Sequence, residues 1–82
     1  MSDKDNKIHY LKILPKYYKE VINGNKKFEI RKNDRGFALF DTIVLREFNG
    51  VCFTGRESTY TITYITNFEQ KKDYVVFSIS PE

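Results

Sequence analysis

Alternation of polar and apolar residues is the strongest structural signal in this chain, and it is clearest between Thr59 and Ile65. In that segment, threonines alternate with Tyr60, Ile62 and Tyr64. Side chains of a β-strand point alternately to its two faces, so the pattern predicts a strand with one apolar face. A chain of 82 residues cannot form a large sandwich, and we expect its strands to curl around one small core.

Similar patterns predict further short strands elsewhere in the chain. They cover residues 8–13, 27–31, 42–48, 51–53 and 74–79. Asn49-Gly50 predicts a hairpin turn, because both residues tolerate positive φ. Thr54-Gly55-Arg56-Glu57 is expected to form a loop. An ordinary hairpin return is the slightly favoured interpretation, and the alternative is a loop in which Gly55 lets a ligand approach the backbone.

One helix is expected early in the chain. Pro15 is suited to a first helical position and Gly24 to the position after the last, so the helix should span about 15–23. About five to six strands with one helix indicate an α+β, mainly β fold, built as a small barrel or curled sheet. Residues 1–82 are expected to form a single domain, with residues 1–6 as a flexible tail.

Composition limits the partners and the compartment. A formal charge of +3 and a pI near 9.0 give a mild preference for anionic partners. One cysteine and one histidine exclude an internal disulfide and a Cys/His zinc site within the chain, so neither metal nor cofactor is predicted. The sequence has no signal-peptide core and no apolar run of about twenty residues, which predicts a soluble cytoplasmic protein without membrane association.

The densest row of charges begins at Gly24. Phe28 and Ile30 are expected to face the core, while Lys27, Glu29 and Arg31 share the opposite face. Arginine can bind a phosphate through two hydrogen bonds, lysine adds a point charge, and a carboxylate can accept from a base amino group. The segment is therefore a candidate site for a polyanion or a polar base.

An alternative interpretation is that Glu29 and Arg31 form a solvated ion pair. Such a pair stabilises a sheet by less than about 1 kcal/mol. Lys26 lies an odd number of positions before Glu29 and Arg31, so in a regular strand its side chain would point to the opposite face. It can join them only if a turn separates the helix from the regular strand.

The same residues carry a family resemblance. Gly24, Lys26, Glu29 and Arg31 fit the pattern G-x-K-x-x-E-x-R. Together with His9-x-Leu11-Lys12-Ile13-x-Pro15 and the Thr54-Gly55-Arg56-Glu57 segment, they cover most of the chain. The sequence resembles the ASCH family of the PUA-like superfamily, and in particular a small bacterial and phage group of uncharacterised domains. The resemblance implies a PUA-like mixed β-barrel with the helix packed at its mouth and the motif residues bordering a cleft there.

RNA or nucleotide binding in a basic cleft is the function that the resemblance implies. The candidate binding residues are Lys26, Glu29, Arg31, Lys32, Arg35, Arg46, Arg56 and Tyr64. Tyrosines at positions 10, 60 and 74 are further stacking candidates, although tyrosines at alternating strand positions are more often core residues. His9 and Cys52 lie in separate strands without a nucleophile signature, and His9 is expected to be a polar residue at a strand end.

Two other functions stay open at this point. Some ASCH relatives are amidohydrolases that remove an acyl group from modified cytidine, and others are reported as ribonucleases. A hydrolase of this kind would use Lys26 and Glu29 as catalytic residues, although the amidohydrolases have a threonine at the position of Glu29. The third possibility is a module that binds a partner protein. The sequence indicates no oligomeric state.

Overall fold

The computed structural model describes residues 5–82. Residues 1–4 of the expected N-terminal tail, which covers residues 1–6, therefore lie outside the described part. Within it, five strands and one helix follow one another along the chain. In order, they are β1 (Ile8–Ile13), α1 (Pro15–Ile22), β2 (Phe28–Lys32), β3 (Thr42–Phe48), β4 (Phe53–Thr66) and β5 (Tyr74–Pro81). The predicted mainly β fold with one helix is confirmed.

All five strands form one sheet, in the order β1-β3-β4-β5-β2, which curls into a half-barrel. β1 runs parallel to β3, whereas the other neighbouring pairs are antiparallel. β1 and β2 are therefore the two edges of the sheet. The first two strands in the chain lie at opposite ends of the strand order, and the curl turns their edges toward one another.

The core lies on one face of the curled sheet and is covered by α1 and the segment before β3. The helix contributes Tyr18 and Val21, and the connecting segment contributes Phe37. Strand residues complete the core, namely Leu11, Ile13, Ile43, Leu45, Tyr60, Ile62, Val75, Phe77 and Ile79. The buried face of β1 is thus the face that carries Leu11 and Ile13. Among the described residues, no helix has both the length and the apolar character needed to cross a membrane.

Helix α1 ends in a pair of backbone hydrogen bonds that fix the direction of the chain after it. Gly24 has φ +81°, and its N–H donates to the carbonyl oxygen of Val21 at 3.1 Å. The N–H of Asn25 donates to the carbonyl oxygen of Glu20 at 3.0 Å. A helix end closed by these two hydrogen bonds favours glycine at position 24, because a Cβ is unfavourable at positive φ. Gly24 therefore sets how the chain enters β2.

Strand β2 has the opposite orientation to the one predicted. Glu29 is 4% exposed, whereas Phe28 and Ile30 are 42% and 50% exposed. The expectation that the apolar pair faces the core was wrong. Alternation defines two faces but does not say which is buried, and here the inward position near the sheet edge holds a carboxylate with cationic partners.

Strand β4 is longer than predicted and includes the segment expected to be a loop. Phe53–Thr66 is one strand, so the prediction of a loop at residues 54–57 was wrong. Gly55 has φ +96°, and the β3–β4 pairing shifts register between Arg46 and Phe48. The glycine permits a bulge inside a strand rather than a break between strands.

His9 is a buried residue rather than a polar residue at a strand end. It is 5% exposed, and its Nε2 lies 2.8 Å from Oδ2 of Asp41, which is 1% exposed. Asp41 also accepts hydrogen bonds from the backbone N–H groups of Lys7 and Ala38. Burial acts to raise the pKa of Asp41, but the hydrogen bond with His9 and the two backbone hydrogen bonds outweigh it and hold the pKa below the ordinary value of 3.8.

Candidate functional site

A cleft of about 540 Å³ opens between the β1–α1 junction and β2. It therefore lies where the two edges of the half-barrel approach each other. Its lining residues are Lys12, Ile13, Leu14, Tyr17, Lys26, Phe28, Glu29, Ile30 and Arg31. Three of these side chains are cationic and one is a carboxylate, so the lining of the cleft has a net positive charge.

Lys26 reaches the cleft from the turn between α1 and β2. Its backbone N–H donates to the carbonyl oxygen of Glu20 at 3.0 Å, which keeps Lys26 in the turn that Gly24 begins. Its Nζ donates to Oε2 of Glu29 at 2.5 Å and to the carbonyl oxygen of Phe28 at 2.7 Å. β2 begins only at Phe28, so the alternation of side chains along the strand does not fix the direction of the Lys26 side chain.

Glu29 lies at the centre of the site and is bound by two cations. Oε2 accepts from Lys26, and Oε1 accepts from Nε of Arg31 at 3.0 Å. The Glu29 side chain is 5% exposed, compared with 18% for Lys26 and 27% for Arg31. A buried carboxylate needs such partners, because desolvation of an unpaired charge costs several kcal/mol. The solvated-pair interpretation therefore does not fit Glu29, which holds both cations at the cleft.

Arg31 also connects the two edges of the sheet. Its Nη2 donates to the carbonyl oxygen of Lys12 in β1 at 2.7 Å. Two of the five guanidinium N–H groups are thus used within the protein. Among residues 5–82, the remaining three have no hydrogen-bond acceptor and can donate to a ligand.

The walls of the cleft are apolar and open to solvent. Leu14, Tyr17, Phe28 and Ile30 are between 42% and 50% exposed. The reversed orientation of β2 places Phe28 and Ile30 here. The site thus combines apolar walls, which can contact a flat ring, with cations that can bind an anionic group.

A match to a known family covers most of the chain. Residues 8–79 match the model of a family described as "Domain of unknown function (DUF3850)". The chain belongs to the DUF3850 family. It is also 39% identical over 71 residues to the "Uncharacterized 12.9 kDa protein in GpA 3'region" of Escherichia phage P2. The match covers 85% of this chain but only 65% of the phage protein, so the chain spans less than two thirds of that relative.

A second groove of about 320 Å³ adjoins the cleft of this DUF3850 chain. It is lined by Tyr10, Leu11, Lys12, Arg31, Arg35, Arg46 and Phe53. Lys12 and Arg31 line both depressions, so the two adjoin at these residues. Of the residues expected in the site, the structure brings Lys26, Glu29 and Arg31 together in the cleft and places Arg35 and Arg46 in this adjoining groove.

The other expected site residues of the DUF3850 chain lie elsewhere. Lys32 lines a separate polar depression with residues of the β4–β5 connection. Arg56 donates to Glu47, which is 5% exposed, at 3.1 Å and 3.3 Å, and its Cζ lies 5.5 Å from the centroid of the Tyr18 ring. Tyr64 is 62% exposed on β4 and lines neither the cleft nor the groove.

Six of the nine cleft residues were not predicted as site residues: Phe28 and Ile30 were expected in the core, and Lys12, Ile13, Leu14 and Tyr17 were not singled out. Lys12, Leu14 and Tyr17 lie before the motif and reach it only because the sheet curls. Pro15 predicts where the helix begins. The sequence does not indicate that this end of the helix, with Leu14 and Tyr17, faces β2. Within the described residues, no three His, Cys, Asp or Glu side chains are grouped closely enough to hold a metal ion.

Proposed function

We propose that this protein binds RNA or a nucleotide in the cleft between the β1–α1 junction and β2. The observation that carries the proposal is the convergence of Lys26 and Arg31 on Glu29 beside apolar walls, in a cleft that Lys12 also lines. A nucleotide has an anionic phosphate and a flat base, and the cleft offers a partner for each. Arginine and lysine bind phosphate oxygens, while apolar and aromatic side chains contact base faces.

Two further observations support nucleotide binding. The motif at Gly24, Lys26, Glu29 and Arg31 resembles that of the ASCH family, and PUA-like domains commonly bind RNA. Glu29 fixes Lys26 and Arg31 before any ligand arrives. Such preorganisation lowers the ordering cost of binding. We also propose that the half-barrel belongs to the PUA-like superfamily, which the motif resemblance supports.

The test is the salt dependence of RNA binding, measured by fluorescence anisotropy with a labelled single-stranded RNA and a labelled hairpin. Affinity should fall steeply with salt, and Lys26→Gln should reduce the slope of log K against log salt by about 0.7. Lys19→Gln is the matched control, because Lys19 is exposed on α1 and lines neither depression. Undetectable or salt-independent binding of both RNAs by the folded protein would refute RNA binding, and undetectable binding of adenosine monophosphate as well would refute the whole proposal.

Hydrolysis is a second candidate function, favoured by one observation. Lys26 and Glu29 form an ion pair at the wall of an open cleft, which places a cation and a carboxylate where they can contact a bound substrate. Incubation with N4-acetylcytidine and with RNA, followed by chromatography, tests this role. Turnover by the wild type and none by Glu29→Gln, with both proteins folded, would establish it, and the absence of turnover of either substrate would exclude it.

A further inference from the structure

The lining of the groove beside the cleft is cationic, although Arg31 and Arg46 also pair with two carboxylates outside the lining, Glu29 and Glu57. Four of its lining residues, Lys12, Arg31, Arg35 and Arg46, are cationic, and none is acidic. It begins where the cleft ends, because Lys12 and Arg31 belong to both. A polyanion that enters the cleft can therefore continue into the groove without leaving a positively charged surface.

Neighbouring groups hold the two further arginines in place. Nη1 of Arg35 donates to the carbonyl oxygen of Tyr10 at 2.9 Å. Cζ of Arg46 lies 4.2 Å from the centroid of the Phe53 ring, and its Nε lies 3.6 Å from Oε1 of Glu57. These contacts restrict the guanidinium groups and reduce the entropy lost when they bind a phosphate.

Aromatic side chains accompany the cations. Tyr10 is 55% exposed and Phe53 is 40% exposed, and both line the groove. One face of Phe53 is occupied by Arg46, so Tyr10 is the more accessible ring. Bases stack on aromatic side chains only when they are unpaired, because a duplex buries the base faces.

We propose that the ligand is single-stranded RNA at least two nucleotides long, with one nucleotide in the cleft and the next in the groove. This inference rests on the proposed function. Tyr10 stacks on the second base, while Arg35 and Arg46 bind the phosphates that follow it. Lys12 and Arg31 bind the phosphate that joins the two nucleotides.

The test compares labelled oligoadenylates of two and four nucleotides with adenosine monophosphate as a competitor and with a short adenylate–uridylate duplex. The dinucleotide should bind about tenfold more tightly than the mononucleotide, and single strands should bind more tightly than the duplex. Tyr10→Leu should remove most of the gain from the second nucleotide. Tyr64→Leu is the matched control, because it removes an exposed tyrosine from a strand outside both depressions.

The outcomes separate this inference from the proposed function. Equal affinity for the mononucleotide and the longer probes would overturn the two-nucleotide site and leave nucleotide binding intact. Preference for the duplex would also overturn it. If no probe binds, both proposals fail. Arg46→Gln provides an independent check, since it should lower the salt slope for the tetranucleotide by about 0.7 and leave mononucleotide binding unchanged.

Discussion

Arg31 of β2 donates to the carbonyl oxygen of Lys12 of β1 at 2.7 Å, and this side-chain hydrogen bond joins the two edge strands of the sheet. The same guanidinium binds the buried carboxylate of Glu29. One side chain therefore has two structural roles, and it also contributes N–H groups to the cleft. Three predictions test the structural framework, and a fourth tests the pH dependence of its buried aspartate.

Arg31→Ala should lower the free energy of unfolding by about 2 kcal/mol. The substitution removes two hydrogen bonds and leaves Glu29 buried with Lys26 as its remaining cationic partner. Urea unfolding followed by circular dichroism measures the change. Lys32→Ala is the control on the same strand and should change stability by less than about 0.5 kcal/mol, because Lys32 is exposed. Equal effects at the two positions would show that Arg31 does not join the edges.

The orientation of β2 can be tested with one conservative substitution at two sites. Ile62→Val should cost about 1 kcal/mol, since Ile62 is fully buried. Ile30→Val should cost less than about 0.5 kcal/mol, because half of the Ile30 surface is exposed. Urea unfolding of both variants gives the comparison. A larger loss at position 30 would restore the orientation predicted from the sequence.

Gly55→Ala should destabilise the protein by about 1 kcal/mol or more, through the backbone alone. Gly55 has φ +96°, and an added Cβ would meet no atom within 4 Å. D-alanine favours positive φ, so a synthetic chain with D-alanine at position 55 should be at least as stable as the wild type. Thermal unfolding of the three proteins distinguishes backbone strain from steric overlap. If both alanine isomers destabilise the protein equally, the positive φ of residue 55 is not the cause.

Asp41 should make folding stability dependent on acid pH. Its folded pKa lies below the unfolded value near 3.8, so its stabilising contribution is complete above that value and is lost as the pH falls through the folded pKa. Urea unfolding between about pH 7 and about pH 3 should show this loss in the wild type. Asp41→Asn should be less stable at neutral pH and show a weaker pH dependence. An unchanged slope in the variant would mean that Asp41 has no such contribution.

Local patterns were sufficient to predict most of the elements. Pro15 and Gly24 delimit α1 because each has a specific backbone preference, and β3 and β5 are short runs rich in β-branched and aromatic residues. Gly55 misled the prediction because glycine is compatible with both a loop and a bulge. The buried face of β2 could not be read from alternation, since Glu29 is stabilised by Lys26 and Arg31 after folding.

The candidate site was predictable only in part. Lys26, Glu29 and Arg31 lie within six residues, so their convergence depends on one turn and one strand. Lys12, Tyr10 and Arg46 join them through the pairing of β1 with β3 and the curl of the sheet. The pairing of His9 with Asp41 is similarly distant in sequence. Such contacts depend on strand order, which periodicity alone does not specify.

The arginine contacts at the open side of the half-barrel also bear on self-association. An edge strand with free carbonyl groups can add a strand from another molecule and begin an aggregate. In β1, the carbonyl oxygens of Tyr10 and Lys12 already accept from Arg35 and Arg31. The positive charge over this edge also repels a second copy, so Arg31 and Arg35 protect the edge of the half-barrel against intermolecular strand addition.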